Sequence, residues 1–144
     1  MNLSGLVSLD LALRGAAIAQ FAVAILNLFL IRIMKWELDL DRAPLLIREV
    51  FRIHVVFISI TLSIFGALSW RFADEIARAA SPLAIWLAVA IGLFWFVRSV
   101  MQWLYYSASH WRGNSLRTLI HWALFFGYGA MAVVYFAAAF WRNG

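Results

Sequence analysis

Two histidines at matching positions in apolar segments are the residues of this chain best suited to redox chemistry. His54 lies a few residues inside the second of four long apolar stretches, and His121 has the same placement in the fourth. If both stretches are helices that run in the same direction, the two imidazoles lie at equal depth and could ligate a b-type haem from its two faces. The haem propionates could then pair with Arg52, Arg98 or Arg117. The two histidines would be metal ligands only in that case.

A second group of polar side chains lies near the end of the third apolar stretch. Gln102 and Tyr105 follow Arg98 by four and seven residues, so the three share one face of a helix. With His121 and Tyr128 they offer hydrogen-bond donors to a carbonyl or phosphate oxygen. Three tryptophans could form the apolar walls: Trp95, Trp103 and Trp122. The pattern predicts a quinone or lipid-headgroup pocket as the alternative to haem.

Arg98 needs a physical explanation of its own. An arginine within a membrane-spanning helix costs about 2.5–3.5 kcal/mol on insertion scales. We therefore expect its side chain to face a partner, a cavity or the nearer membrane interface.

Other chemistries have little support in the sequence. Cysteine is absent, which excludes disulfides, thiolate nucleophiles and cysteine-ligated zinc. The seven acidic residues lie in predicted loops or at the ends of predicted spans, and no histidine pair has metal-ligand spacing. No glycine-rich phosphate loop is present. The sequence predicts a protein without catalytic machinery of its own.

Composition indicates which solvent surrounds the chain. Of the 144 residues, 65% are hydrophobic and 13% are charged, whereas a soluble domain has about 45–50% apolar and about 25% charged residues. The net charge of +5 comes from basic residues between apolar stretches, where anionic lipid headgroups are a simpler partner than nucleic acid. We expect an integral membrane protein in contact with the lipid bilayer, and no nucleic-acid partner.

The apolar stretches define the elements that must position these side chains. Four spans are predicted, at about 11–34, 50–70, 82–106 and 116–141, each close to the ~20 residues that a bilayer requires. The third begins with Ser81 and Pro82, a helix cap followed by proline in the first turn. Short connections between spans imply an all-α, up-down-up-down four-helix bundle that forms a single transmembrane domain over residues 1–144.

Lysine and arginine counts predict the orientation. One side of the membrane would hold eight basic residues and the other four. The larger set is Arg32, Lys35, Arg42, Arg48, Arg52, Arg98, Arg112 and Arg117, and the smaller is Arg14, Arg71, Arg78 and Arg142. The richer side is expected to face the cytoplasm of a bacterial cell, with both termini outside it.

Three functional interpretations follow. Small residues on several helix faces, and polar groups inside the spans, favour an accessory or anchoring subunit of a larger membrane complex, with other membrane subunits as partners. The first alternative is an electron-transfer module that binds haem b or quinone near the cytoplasmic face through His54 and His121. The second is a small homo-oligomeric transporter or channel.

Overall fold

The computed structural model describes residues 3–105 and 115–140, apart from the side chains of residues 116 and 117. Within these ranges the chain forms six helices: α1 (Leu3–Ile33), α2 (Glu37–Arg42), α3 (Leu45–Arg71), α4 (Ala73–Ala77), α5 (Pro82–Leu104) and α6 (Ser115–Phe140). Helices α1, α3, α5 and α6 are long and apolar enough to cross a membrane. The predicted all-α membrane fold with four long apolar helices is confirmed.

Two of the long helices begin before their predicted membrane spans. Helix α1 starts at Leu3, so Asp10 lies inside it rather than before it. Its 31 residues measure about 46 Å at ~1.5 Å per residue, more than the ~30 Å of a hydrocarbon core. Helix α3 starts at Leu45, immediately after Pro44, where a proline is tolerated because the first helical N–H groups have no intrahelical partner. The predicted span ends at residues 106 and 141 lie outside the described residues.

The chain divides into two compact units. The first unit is Arg14–Arg71, which contains most of α1, all of α2 and all of α3. The second unit joins Met1–Leu13 to Phe72–Gly144 and contains α4, α5 and α6.

In the first unit α1 and α3 run antiparallel and are joined by polar contacts. The Asn27 amide donates to the Val55 carbonyl at 2.9 Å and to the Ser59 hydroxyl at 3.0 Å. Towards the other ends of the two helices, Gly66 packs closely against the Phe21 ring and the Ala17 carbonyl. Interhelical hydrogen bonds and small residues are the usual means by which helices associate in lipid. Asn27 therefore joins α1 to α3 by side-chain hydrogen bonds.

Arg14 stabilises the C-terminal end of α3. Its guanidinium donates to the Trp70 carbonyl at 3.5 Å and lies 5.4 Å from the centroid of the Trp70 ring. The last carbonyls of a helix have no intrahelical partner and carry partial negative charge. An arginine from α1 therefore supplies both a hydrogen bond and a favourable charge at the point where α3 ends.

In the second unit α5 and α6 are also antiparallel. Gly92 of α5 meets Tyr135 and Phe136 of α6, and Trp95 stacks on Tyr128 nearer to the connection between the two helices. The short helix α4 packs against both, and its Ile76 is buried. Ser81 caps α5 as predicted, since its hydroxyl accepts from the Ala84 N–H at 3.1 Å.

Replacing Ala79 with glycine should stabilise the protein. Ala79 follows α4 with φ of 47°, and the Ala80 N–H bonds back to the Glu75 carbonyl, as in a glycine-terminated helix. Because an L-residue is strained there, we expect Ala79→Gly to raise the free energy of unfolding by about 0.5–1 kcal/mol. Ala130→Gly, in the interior of α6, is the control and should lower it by a similar amount. Thermal unfolding in detergent measures both; a loss of stability in Ala79→Gly would contradict the prediction.

Two glycine substitutions test the close approach of α1 and α3. A Cβ at Gly66 would lie 3.1 Å from the Phe21 ring and 3.2 Å from the Ala17 carbonyl oxygen, whereas a Cβ at Gly15 meets nothing within 4 Å. Both substitutions gain helix propensity, but only the first overpacks the contact. Gly66→Ala should therefore be less stable than Gly15→Ala by about 1–2 kcal/mol, measured by unfolding in detergent. Equal stabilities would mean that the two helices do not approach each other at Gly66.

Candidate functional site

A cluster of polar side chains lies between α5 and α6 in the second unit. It consists of Arg98 and Gln102, one turn apart on α5, with His121 and Tyr128, two turns apart on α6. The antiparallel packing brings the later part of α5 beside the earlier part of α6, and so joins these residues. We call this group the Arg98 cluster.

Hydrogen bonds connect three members of the cluster in a row. Arg98 Nη1 donates to Gln102 Oε1 at 3.2 Å, and Gln102 Nε2 lies 3.0 Å from His121 Nδ1. Both Gln102 and His121 are buried. Arginine has only donors, so Oε1 must accept and the amide NH₂ must face the imidazole. His121 Nδ1 therefore accepts, and the neutral ring carries its hydrogen on Nε2.

Aromatic rings support the charged end of the cluster. Arg98 Cζ lies 5.0 Å from the centroid of the Tyr128 ring, within the range of a cation–π interaction. Trp95 stacks on the same ring at 5.2 Å with an interplanar angle of 28°. The Trp95 indole is almost fully buried, and no described residue supplies an acceptor for its N–H. The cluster thus holds a positive charge and several neutral hydrogen-bonding groups between two helices that are each able to span the bilayer.

The buried face of α5 explains why these residues meet α6. Trp95, Ser99 and Gln102 are buried at spacings of four and three residues, and Arg98 is half-buried beside them. The Ser99 hydroxyl donates to the Phe125 carbonyl of α6 at 3.1 Å, which adds a third polar link between the helices. Sequence reasoning missed this serine, although its position between Trp95 and Gln102 on one stripe was a usable signal.

The predicted quinone or headgroup site is assembled only in part. Arg98, Gln102 and His121 come together as expected, whereas Tyr105 is 81% exposed at the end of α5 and lies outside the cluster. Trp103 is exposed as well. Two of the tryptophans named as walls do contact the cluster, since Trp95 stacks on Tyr128 and the Trp122 ring lies 5.5 Å from that of His121.

The haem hypothesis stays a prediction. Arg52 and His54 are exposed on α3 in the first unit, whereas His121 belongs to the second. The Arg117 side chain lies outside the described residues. If His121 Nε2 ligated a haem iron, the ring hydrogen would have to be on Nδ1 instead. Gln102 would then have to turn its amide oxygen towards the ring to accept that hydrogen. Arg98 would lose the oxygen to which it now donates.

No group of three or more histidine, aspartate or glutamate side chains that could hold a metal ion occurs within residues 3–105 and 115–140.

Comparison with models of known protein families, with curated proteins and with solved structures finds no match. The fold places the chain among polytopic helical membrane proteins, and its most organised polar feature is the Arg98 cluster.

A double-mutant cycle tests the central hydrogen bond of the cluster. We expect Gln102→Leu and His121→Phe to show a coupling energy of about 0.6 kcal/mol, and at most ~1.7 kcal/mol, as found for hydrogen bonds between helices in lipid. Unfolding of the two single variants and the double variant by sodium dodecyl sulfate in mixed micelles gives the coupling. Ser63→Ala with His121→Phe is the control pair, because the Ser63 hydroxyl bonds within its own helix. Additive effects of Gln102→Leu and His121→Phe would show that the bond contributes nothing.

Proposed function

We propose that the protein is a non-catalytic accessory or anchoring subunit of a larger membrane complex. The observation that carries this proposal is an exposed face of small residues on α6. Ala123, Gly127 and Ala130 follow one another by four and three residues, so they share one face, and all three are exposed. A Cβ added at Gly127 would meet no atom within 4 Å.

A small-residue face on a helix in lipid favours contact with another helix. Hydrocarbon chains provide no hydrophobic drive for association, so helices associate where small side chains let their backbones approach closely. The large exposed apolar side chains of α6 are Leu119, Ile120, Trp122, Phe126, Val133 and Phe140, and some of them border the small-residue face. The contrast between these positions and the Ala123, Gly127 and Ala130 face supports a partner helix at that face.

The polar groups inside the spans do not add to this argument. From the sequence they favoured a subunit role, but Asn27 bonds to Val55 and Ser59, and Gln102 bonds to Arg98 and His121. These contacts hold the helices of each unit together. The case for a partner subunit therefore depends on the small-residue face alone.

We propose further that the protein resides in a bacterial inner membrane with both termini outside the cytoplasm. In the first unit Arg32 and Lys35 lie at the end of α1, and Arg48 and Arg52 lie near the start of α3. Antiparallel packing brings these basic residues to one end of the unit. Under the positive-inside rule that end faces the cytoplasm.

Substitution of the small-residue face tests the subunit hypothesis. Gly127→Leu places bulk on that face, and Phe140→Leu changes an exposed position on a different side of α6 as the control. We expect the natural protein and Phe140→Leu to copurify with a different membrane protein at fixed stoichiometry, and Gly127→Leu to lose it. Affinity purification in a gentle detergent followed by native mass spectrometry measures the stoichiometry.

Three results would overturn the subunit proposal. The first is a natural protein that purifies without a fixed-stoichiometry partner, and the second is retention of the partner by Gly127→Leu. The third is assembly only with copies of itself, which would favour the transporter or channel. An absorbance scan of the same preparation addresses the electron-transfer alternative, since a Soret band that disappears in His121→Ala would reveal bound haem.

A further inference from the structure

A groove of about 560 Å³ lies between α1 and α3 in the first unit. Ligand pockets usually measure about 300–1,000 Å³, so a groove of this volume can hold a ligand. Four small residues line it: Ala24, Ser59, Ser63 and Ala67. Six large apolar residues line it as well, and all six are exposed: Phe21, Ile25, Leu28, Val56, Ile60 and Ile64. Because α1 and α3 are both able to span a bilayer, the groove opens towards lipid.

The two hydroxyl groups in the groove already donate within the protein. The Ser59 hydroxyl donates to the Val55 carbonyl at 2.9 Å and accepts from the Asn27 amide at 3.0 Å. The Ser63 hydroxyl donates to the Ser59 carbonyl at 2.8 Å. The remaining lining side chains are apolar. The groove therefore suits a hydrocarbon chain better than a polar molecule.

The length of the groove matches one leaflet of a bilayer. On α3 its lining extends from Val56 to Ala67, which is about 16 Å along the helix axis. Half of the ~30 Å hydrocarbon core measures ~15 Å. A lipid chain occupies one leaflet, whereas a partner helix that crosses the bilayer would contact α1 and α3 over about twice that length. The length favours a lipid chain as the occupant.

An arginine follows the groove lining on each helix. Arg32 comes four residues after Leu28 on α1, and Arg52 comes four residues before Val56 on α3. Residues four apart are neighbours on a helix surface, so each arginine is one turn beyond the groove. Since α1 and α3 are antiparallel, both steps lead to the same end of the first unit. Arg32 is next to the last residue of α1, so this end lies towards the headgroup layer.

Two contacts between α1 and α3 bracket the level of these arginines. The Asn27 amide donates to the Val55 carbonyl on the groove side. On the other side the Trp36 and Phe51 rings meet edge to face, with their centroids 6.3 Å apart. On each helix the arginine lies between its two contact residues in the sequence. The two arginines therefore lie at one level of a closely packed helix pair.

Both arginines are available to an anion. Arg32 and Arg52 are exposed, and within residues 3–105 and 115–140 neither guanidinium has a hydrogen-bond or ion-pair partner. This includes Glu49, three residues before Arg52. Arg48 differs, because it pairs with Asp41 at 3.3 Å. An exposed cation at the end of each side of an apolar groove is complementary to an amphiphile with an anionic head.

We propose that the groove between α1 and α3 binds an acyl chain of an anionic phospholipid, with the headgroup phosphate at Arg32 and Arg52. A guanidinium binds a phosphate through charge-assisted hydrogen bonds and can use two donors at once. The long arginine side chains extend to the headgroup level while their stems cover apolar surface. This inference is independent of the proposed subunit role, which depends on α6.

Lipid retention tests the charged end of the site. The purified full-length protein is mixed with phosphatidylglycerol or phosphatidylcholine in detergent, and native mass spectrometry counts the lipids retained. We expect the natural protein to retain one phosphatidylglycerol in preference to phosphatidylcholine. Arg32→Gln and Arg52→Gln should each weaken phosphatidylglycerol binding by about tenfold, the usual effect of losing a charge-assisted hydrogen bond. Arg78→Gln, which removes the same charge from an exposed position in the second unit, is the control and should not change it.

A second pair of variants tests the groove itself. Ser63→Leu fills the groove, and we expect it to lower the retention of both lipids. Thr61→Leu is its matched control, because the Thr61 hydroxyl also bonds within α3 and Thr61 does not line the groove. It should leave retention unchanged.

Several outcomes would overturn the lipid site. Equal retention of the two lipids by the natural protein would do so without any variant. Unchanged phosphatidylglycerol binding in both Arg32→Gln and Arg52→Gln would do so too, as would an equal loss in Arg78→Gln. Equal retention by Ser63→Leu and Thr61→Leu would place the lipid outside the groove. Loss of a copurifying protein from Ser63→Leu, with lipid retention unchanged, would assign the groove to a partner helix.

Discussion

The absence of water from the hydrocarbon layer is the constraint on which this structure depends. A polar side chain there must find its partner within the protein, because lipid supplies neither donors nor acceptors. The α1–α3 pair meets this condition with Asn27, which bonds to a backbone carbonyl and a serine of the facing helix. The α5–α6 pair meets it with Ser99 and Gln102. Each pair therefore has polar links where two apolar helices would otherwise be free to slide.

Gln102 bonds to two partners in the Arg98 cluster, Arg98 and His121. Its amide accepts from a cation through the oxygen and donates to an imidazole through the nitrogen at the same time. A leucine at this position would remove both bonds, and a glutamate would present two acceptors and no donor to His121 Nδ1. One neutral side chain thus links the Arg98 guanidinium to His121 and favours the His121 tautomer that accepts at Nδ1. The ligand chemistry available at the cluster follows from that choice.

Much of the fold could be predicted from the sequence, and the site only in part. Span length, hydropathy and the Ser81–Pro82 cap determine the number of long helices and the start of α5, because these are properties of single segments. Spacing also placed Arg98, Gln102 and Tyr105 on one stripe. Spacing could not show that only part of this stripe faces α6. Gln102 is buried, whereas Tyr105 is exposed. The contact of Arg14 with Trp70 depends on how α1 and α3 align with each other. The spacing of residues within one helix carries no information about that alignment.

The division into two units has a consequence for biosynthesis. Ribosomes deliver residues 14–71 to the membrane before α5 exists, and that segment already contains both partners of the contacts of Arg14 with Trp70 and of Asn27 with Val55 and Ser59. A helical hairpin that already holds these contacts can form before the later helices are made. The first residues of α1 are grouped with the later unit. This part of α1 therefore belongs with helices that are synthesised after α3.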